Sequence, residues 1–211
     1  MNKERDPLTG LVSGGAMHGA IEAAIRDTAD GVAMALMDID RFGEINQEFG
    51  AEAGDQVLLT VTALLQQEAE ASRGAVAIRV SGDEFALLLP ELTLEQAFLR
   101  MERLRVLVQG ADGQMPGGRT VTITIGVAQY PRDAKNGAEL LKAADAALMA
   151  AKEQGRNAVG LPPNEEMVMK SCYYAAAAVR KLKALAERVG RKESVLLREA
   201  LSDLLRKYDT A

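Results

Sequence analysis

R-V-S-G-D-E-F-A-L-L-L-P, residues 79–90, sets two adjacent carboxylates, Asp83 and Glu84, between two apolar runs. A-I-R-V (77–80) and F-A-L-L-L-P (85–90) read as strands, and the polar residues between them read as the turn of a tight hairpin. Like charges side by side at a turn repel each other unless a cation or solvent separates them. The pair therefore raises the question of which cation, and for what chemistry.

Outward from the hairpin, V-A-M-A-L-M-D-I-D (32–40) and T-V-T-I-T-I-G-V-A (120–128) are further strands by their branched, apolar composition. Helical spacing runs through Gly15 to Arg26, Gly54 to Ala71, Leu94 to Val108 and Ala138 to Glu153, with apolar residues every three or four positions. Helices thus alternate with strands around one hairpin, which predicts an α/β or α+β domain with helices packed on a sheet. G-A-D-G-Q-M-P-G-G (110–118) is a loop by composition and is assigned no chemistry. V-G-L-P-P-N-E-E (159–166) combines glycine, two prolines and acids, which neither a helix nor a central strand tolerates. The expected organisation is a domain over 1–160, a linker over 161–166 and a small C-terminal domain over 167–211.

M-D-I-D (37–40) closes the first strand with acids at i and i+2, so both side chains point to one side of the sheet. If the hairpin pairs beside this strand, Asp38, Asp83 and Glu84 meet at one sheet end as hard oxygen ligands suited to Mg²⁺ or Mn²⁺. Taken alone, D-x-D plus D-E also fits solvated acids at strand ends.

The sum of motifs is more specific. D-P-L-T-G-L (6–11), M-D-I-D-R-F-G-E-I-N-Q-E-F-G-A-E-A-G-D-Q-V-L (37–58), R-V-S-G-D-E-F (79–85), T-I-T-I-G-V-A (122–128) and A-D-A-A-L-M-A-A-K-E-Q-G-R-N (144–157) follow one another in order. Together they resemble the GGDEF diguanylate cyclases, which join two GTP into cyclic di-GMP. The resemblance implies a ferredoxin-like, polymerase-palm-type fold with the signature at the hairpin turn. It implies metal coordination by Asp38, Asp83, Glu84 and the carbonyl of Ile39, with Asp83 and Glu84 as the catalytic carboxylates. It sets the guanine edge against Asn46 and Asp55, whose amide and carboxylate complement the base's donors and acceptors. Backbone amides around Arg41, Phe42 and Gly43 would cradle the β- and γ-phosphates, and Lys152 and Arg156, one helical turn apart, would reach the same phosphates. Ser81 and Gly82 would lie against the nucleotide at the turn.

Four departures bear on activity. Ser81 stands where the signature has its first glycine, so its Cβ would crowd the nucleotide or meet a positive φ that serine resists. Gly43 stands in place of the usual lysine, Ala51 in place of a common histidine, and Ser13-Gly14 in place of Asn-Arg. The R-x-x-D of product-inhibited members is also missing, its positions being Ser72, Arg73, Gly74 and Ala75.

Charge divides the chain. Residues 1–160 carry 15 Lys/Arg against 23 Asp/Glu, whereas residues 167–211 carry 10 against 5. A compact basic segment on an acidic domain points to a separate anionic partner, with double-stranded DNA the first candidate. The segment contains a short strand-like piece and two helical patterns split by Gly190, too small to bury both apolar stripes without a second copy. L-A-E-R-V-G-R-K-E-S-V-L-L-R-E-A-L (185–201) resembles ribbon-helix-helix DNA-binding domains. That resemblance implies a homodimer and outward strand residues Met169, Ser171 and Tyr173, or Lys170 with the register shifted by one. A dimerisation module that never touches DNA is the alternative. Cys172 is the one cysteine, so no internal disulfide forms. No apolar stretch approaches the roughly 20 residues that span a bilayer, and M-N-K-E-R-D-P lacks a secretory apolar core, so a cytoplasmic location is expected.

Two functions follow. The first is a diguanylate cyclase using Mg²⁺ or Mn²⁺ and GTP, dimerised and DNA-tethered by its tail. The second is a DNA-binding regulator whose degenerate cyclase domain senses GTP or a cyclic dinucleotide without turnover. Relaxed base choice is a third variant, against which Asn46 and Asp55 argue.

Overall fold

The computed structural model of the protein describes residues 5–111, 115–162, 174–189 and 193–208. The chain divides into two compact units, Met1–Glu165 and Glu166–Ala211. The first contains β1 (Val12–Ser13), α1 (Met17–Asp27), β2 (Val32–Ile39), α2 (Phe42–Phe49), α3 (Ala51–Glu70), β3 (Val76–Ser81), β4 (Glu84–Pro90), α4 (Leu94–Gln109), β5 (Ile123–Tyr130), α5 (Gly137–Glu153) and β6 (Val159–Gly160). The second contains α6 (Ala176–Val189) and α7 (Glu193–Tyr208). Among the described residues no helix is long and apolar enough to cross a membrane.

One six-stranded sheet runs β1-β3-β4-β2-β5-β6. Its core, β5-β2-β4-β3 with α3 and α4 as the connections, is the βαββαβ arrangement of the ferredoxin-like fold. β2 is antiparallel to both β4 and β5, and buried on both faces, which is why its sequence is a continuous apolar run and not an alternating one. Ala33, Ala35, Met37 and Ile39 pack with Val61 and Leu65 of α3 and Met101 and Leu104 of α4. Met34 and Leu36 pack on the other face with Ile21 of α1 and Leu140, Ala144 and Leu148 of α5. Two helices start on side-chain caps: Thr93 and Gln96 form a capping box on α4, and Asn136 accepts from the Glu139 N–H at 2.9 Å on α5.

The sequence pattern did not assign α2, and it started α3 three residues late. Phe42, Ile45 and Phe49 carry a helical spacing, but glycines flank or interrupt it, and Gly50 (φ 86°) turns the chain between α2 and α3. The strand expected over 120–128 runs instead from Ile123 to Tyr130.

Gly126 sets how closely α5 lies on the sheet. A Cβ there would run into the Ala144 carbonyl oxygen and the Leu148 N–H, both helix backbone that cannot move aside alone. We expect Gly126→Ala to lower stability by about 3 kcal/mol in chemical denaturation, as overpacking against rigid backbone does. The exposed helical Gly19, whose added Cβ meets nothing, serves as the control: Gly19→Ala should be neutral or gain up to about 1 kcal/mol.

Candidate active site

The M-D-I-D acids and the hairpin turn come together because β2 pairs with β4 up to its last residues. Asp38 lies opposite Glu84 on one side and Thr124 on the other. The Ile39 N–H then donates to the Asp83 carbonyl at 3.3 Å, which seats the turn over the end of the strand. Asp38 meets α5, whereas Asp40 meets the Thr122 and Thr124 hydroxyls and the turn that follows α5. Lys152, in the last turn of α5, reaches Asp38 Oδ2 with its Nζ at 2.8 Å.

The turn is pinned from the other side by a chain of polar contacts that also explains D-P-L-T-G-L. Asp6 Oδ1 accepts from the Thr9 N–H (2.8 Å) and hydroxyl (2.7 Å) and from Arg79 Nη1 (3.0 Å). Arg79 in turn donates through Nε and Nη2 to the Gly82 carbonyl at 3.1 and 2.9 Å. Burial opposes ionisation of Asp6, but the Thr9 donors and the Arg79 guanidinium outweigh it and hold the carboxyl below its ordinary value. Ser81 does not take up the positive φ feared for it; only Gly82 (φ 43°) at this turn does. The Ser81 hydroxyl donates to Glu84 Oε2 at 3.0 Å.

Charge at this corner is unbalanced. Burial, followed by the neighbouring Asp38 and Glu84 charges, pushes the Asp83 carboxyl above its ordinary value, with its own backbone N–H and Lys152 offsetting part of the rise. Three carboxylates against one lysine leave room for a divalent cation. Among the described residues no group of three or more carboxylate, imidazole or thiolate side chains forms a ready metal cage. That agrees with Mg²⁺, which uses one or two carboxylates together with substrate phosphates and water. The residues present fit such an ion.

Beside this corner, Arg41 adopts a left-handed conformation (φ 56°, ψ 33°) as the N-cap of α2, and its carbonyl accepts from the Glu44 N–H at 2.9 Å. The N–H groups of a first helical turn have no acceptor within the helix and favour an anion. Arg41, the cap of that turn, lines a cleft of about 280 Å³ together with Arg119, Arg156, Thr120, Thr122 and Asp40, among others. Arg156 does not continue α5 one turn beyond Lys152. The helix ends at Glu153, Gly155 turns at φ 123°, and Arg156 (φ 65°) donates its N–H back to the Ala151 carbonyl at 3.1 Å. Arg119 was not singled out by sequence pattern because it follows a loop of turn residues. It pairs with Glu44 at 3.3 Å and Glu48 at 2.5 Å on α2.

Asn46 and Asp55 lie on the facing helices α2 and α3, Asn46 half-buried and Asp55 exposed. Between them, Gly54 leaves the space that the Asn46 amide occupies: a Cβ there would strike Asn46 Oδ1 and come within 3.1 Å of the Phe42 ring. Gly54 is thus a second residue that the sequence reading missed. The proposed DNA-contacting residues Met169, Lys170, Ser171 and Tyr173 lie outside the described residues.

Residues 3–158 match the family model described as diguanylate cyclase, GGDEF domain. The chain belongs to the GGDEF family. Residues 173–209 match a ribbon-helix-helix domain. The response regulator PleD of Caulobacter vibrioides is 35% identical over 160 residues, 73% of this chain and 35% of PleD. The uncharacterized Bacillus subtilis protein YhcK is 35% identical over 167 residues, 76% of this chain and 46% of YhcK. The chain therefore spans less than half the length of either relative. The GGDEF domain of DgcB from Caulobacter crescentus, solved in complex with c-di-GMP, matches with a TM-score of 0.70 at 26% identity, over 78% of this chain and 96% of that one. The GGDEF domain of TpbB (YfiN) from Pseudomonas aeruginosa gives 0.67 at 31% identity, over 74% and 99%.

An acid whose folded-state pKa is raised binds protons more readily folded than unfolded, so its ionisation lowers stability as pH rises through the window above its ordinary value of 3.8. Asp83→Asn removes that penalty. In chelator at pH 7.5 this GGDEF protein should gain about 2 °C in melting temperature on the substitution, and the gain should shrink as pH falls toward 4.

Proposed function

We propose that the protein is a diguanylate cyclase that condenses two GTP into cyclic di-GMP and two pyrophosphates. One observation carries the reading: Asp38, Asp83 and Glu84 share the end of β2 with Lys152, next to the arginine-lined cleft at the start of α2. In this reading Asp38, Asp83, Glu84 and the Ile39 carbonyl hold Mg²⁺ or Mn²⁺. Such an ion, when bound, neutralises charge developing on the phosphates. The α2 amides of Phe42 and Gly43 with Arg41, Lys152 and Arg156 hold the β- and γ-phosphates in line, while Asn46 and Asp55 select guanine. Ser81 and Gly82 bound the nucleotide at the turn. The 3′-hydroxyl of each GTP attacks the α-phosphorus of the other. A P–O bond forms to the 3′ oxygen, the bond to the bridging oxygen breaks, pyrophosphate leaves with that electron pair, and the Asp83–Glu84 carboxylates take up the hydroxyl proton. Phosphoryl transfer asks mostly for alignment and charge compensation, which this set of groups supplies.

Each site holds only one of the two reacting nucleotides, so turnover needs a second copy of the chain. The ribbon-helix-helix segment supports that role. α6 and α7 carry exposed Val179, Val189, Leu197, Leu201 and Leu204, the apolar face of a unit too small to cover itself. Constitutive dimerisation through it would raise the effective concentration of the second half-site, and its basic charge would tether the enzyme to DNA. Product is not expected to feed back at 72–75. Ser72 is buried there and its hydroxyl accepts from Arg100, which also pairs with Glu68 at 3.3 Å, so this cation is already committed within the domain.

The departures at Gly43, Ala51 and Ser81 favour a second reading, a DNA-binding regulator that senses nucleotide without turnover. Incubation with GTP and Mg²⁺, followed by chromatography, decides between them. The cyclase yields cyclic di-GMP and pyrophosphate from GTP and none from ATP, and Asp83→Ala lowers the yield at least about 100-fold. Cyclic product missing with wild-type protein leaves only the regulator.

The tail is tested separately. Truncation after residue 163 should abolish dimers at low micromolar concentration and cut specific activity at least about tenfold, with recovery at high protein concentration. The full chain should retard duplex DNA on a gel with an affinity that falls steeply as salt rises. Unchanged activity and dimer affinity in the truncated protein would remove the tail from catalysis.

A further inference from the structure

Asp40, the second acid of M-D-I-D, has no role in the reading above. It is 8% exposed and its carboxylate is fully engaged: Oδ1 accepts from the Thr124 hydroxyl at 2.6 Å, and Oδ2 accepts from the Thr122 hydroxyl at 2.7 Å and the Asn157 N–H at 3.1 Å. The Asn157 N–H is shared with Thr124 Oγ1, also at 3.1 Å. A buried carboxylate so satisfied has a structural partner to hold, and that partner is the turn after α5.

The turn is costly to maintain. Gly155 (φ 123°), Arg156 (φ 65°) and Asn157 (φ 45°) are three successive residues at positive φ, and two of them carry a Cβ that disfavours it. Such a conformation persists only where its surroundings over-determine it. Asp40 grips it from the sheet, and α4 grips it from outside, with Arg105 Nη1 donating to Asn157 Oδ1 at 2.8 Å. Arg156, the residue before Asn157, lines the cleft together with Arg41 and Arg119, and Asp40 and Asn157 form part of the same wall, Asp40 with both carboxylate oxygens turned to Thr122, Thr124 and the Asn157 N–H.

We propose that Asp40 is a positioning residue that sets Arg156 in the phosphate cleft through the Asn157 backbone. The two acids of the motif then divide the work at the end of α5. Asp38 meets Lys152 directly, at 2.8 Å, while Asp40 fixes the arginine by holding its neighbour's N–H. The inference rests on the reading of that cleft as the site of the GTP β- and γ-phosphates.

The test is a double-substitution cycle on the full chain with Mg²⁺, reading equilibrium affinity for GTP and for guanosine 5′-monophosphate, which lacks the distal phosphates. Arg156→Ala should weaken GTP binding about tenfold, the worth of one charge-assisted contact, and leave the monophosphate within about twofold. Asp40→Asn keeps the shape but replaces an acceptor oxygen by a donor. It should weaken GTP by about three- to tenfold, spare the monophosphate, and add nothing further in the Arg156→Ala background. Asp40→Ala, which removes the acceptor without setting a new donor against the Asn157 N–H, should show the same non-additive loss and stands in if Asp40→Asn does not fold. Equal losses for both nucleotides, or losses that add to that of Arg156→Ala, would overturn the inference and leave Asp40 as a purely structural acid. Unchanged GTP affinity in Arg156→Ala would overturn the phosphate reading of the cleft, and the inference with it.

Discussion

Asp38, Asp83 and Glu84 sit at the end of a strand buried on both faces, with Lys152 as their near cation, and the rest of the domain is arranged around that excess of negative charge. The pairing of β2 with β4 creates the problem, because it carries the turn onto the strand end and leaves the carboxylates nowhere to separate. Desolvation makes the crowding worse, as the raised Asp83 carboxyl records. A fold that spends stability here is typical of a binding site, where the missing charge arrives with the ligand. The close seat of α5 on Gly126 then matters for chemistry as well as packing, since it sets Lys152 against Asp38.

The fold was legible wherever a hydrophobic period or a turn signal was long enough. The hairpin over 76–90, the doubly buried β2 and the long helices α3, α4 and α5 each carry ten or so residues of consistent pattern, or an unmistakable turn, on the order of what such reading requires. What was missed is short or glycine-punctuated. α2 has eight residues with glycines at its start and just beyond its end, and β1 and β6 have two residues each. A two-residue strand has no period to read; it exists only because a longer neighbour offers it hydrogen bonds.

The site divides along a similar line. The three carboxylates could be proposed from D-x-D and D-E themselves, and Lys152 and Arg156 from the family resemblance, while Arg119 was carried by neither. Residues that act by holding others could not. Gly54 matters for a side chain it lacks, Arg79 for a carbonyl three residues on, and Asp40 for an N–H 117 residues away in the chain. Each is defined by a tertiary neighbour, and no local pattern reports that. Arg156 is a mixed case: the helical pattern stops at Glu153, as the structure has it, yet the resemblance sets Arg156 one helical turn beyond Lys152, which the turn at Gly155 does not allow.

The departures from the family pattern also look different with the structure in hand. Ser81 keeps ordinary backbone geometry, so its cost reduces to one methylene and a hydroxyl that is already occupied by Glu84. At Gly43 an added Cβ would meet nothing within 4 Å, so the position is open and not closed to a longer side chain. A cation does stand beside that helix: Arg119, which lines the neighbouring cleft, is held by Glu44 and Glu48 in the helix whose second residue is Gly43. Those two acids also restrain it: a guanidinium paired twice is well placed but partly neutralised, and a phosphate must compete with carboxylates for it. If the cleft takes the phosphates as proposed, it depends more on Arg156, for which no ion pair intervenes among the described residues, and so on whatever holds the left-handed turn in which that arginine sits.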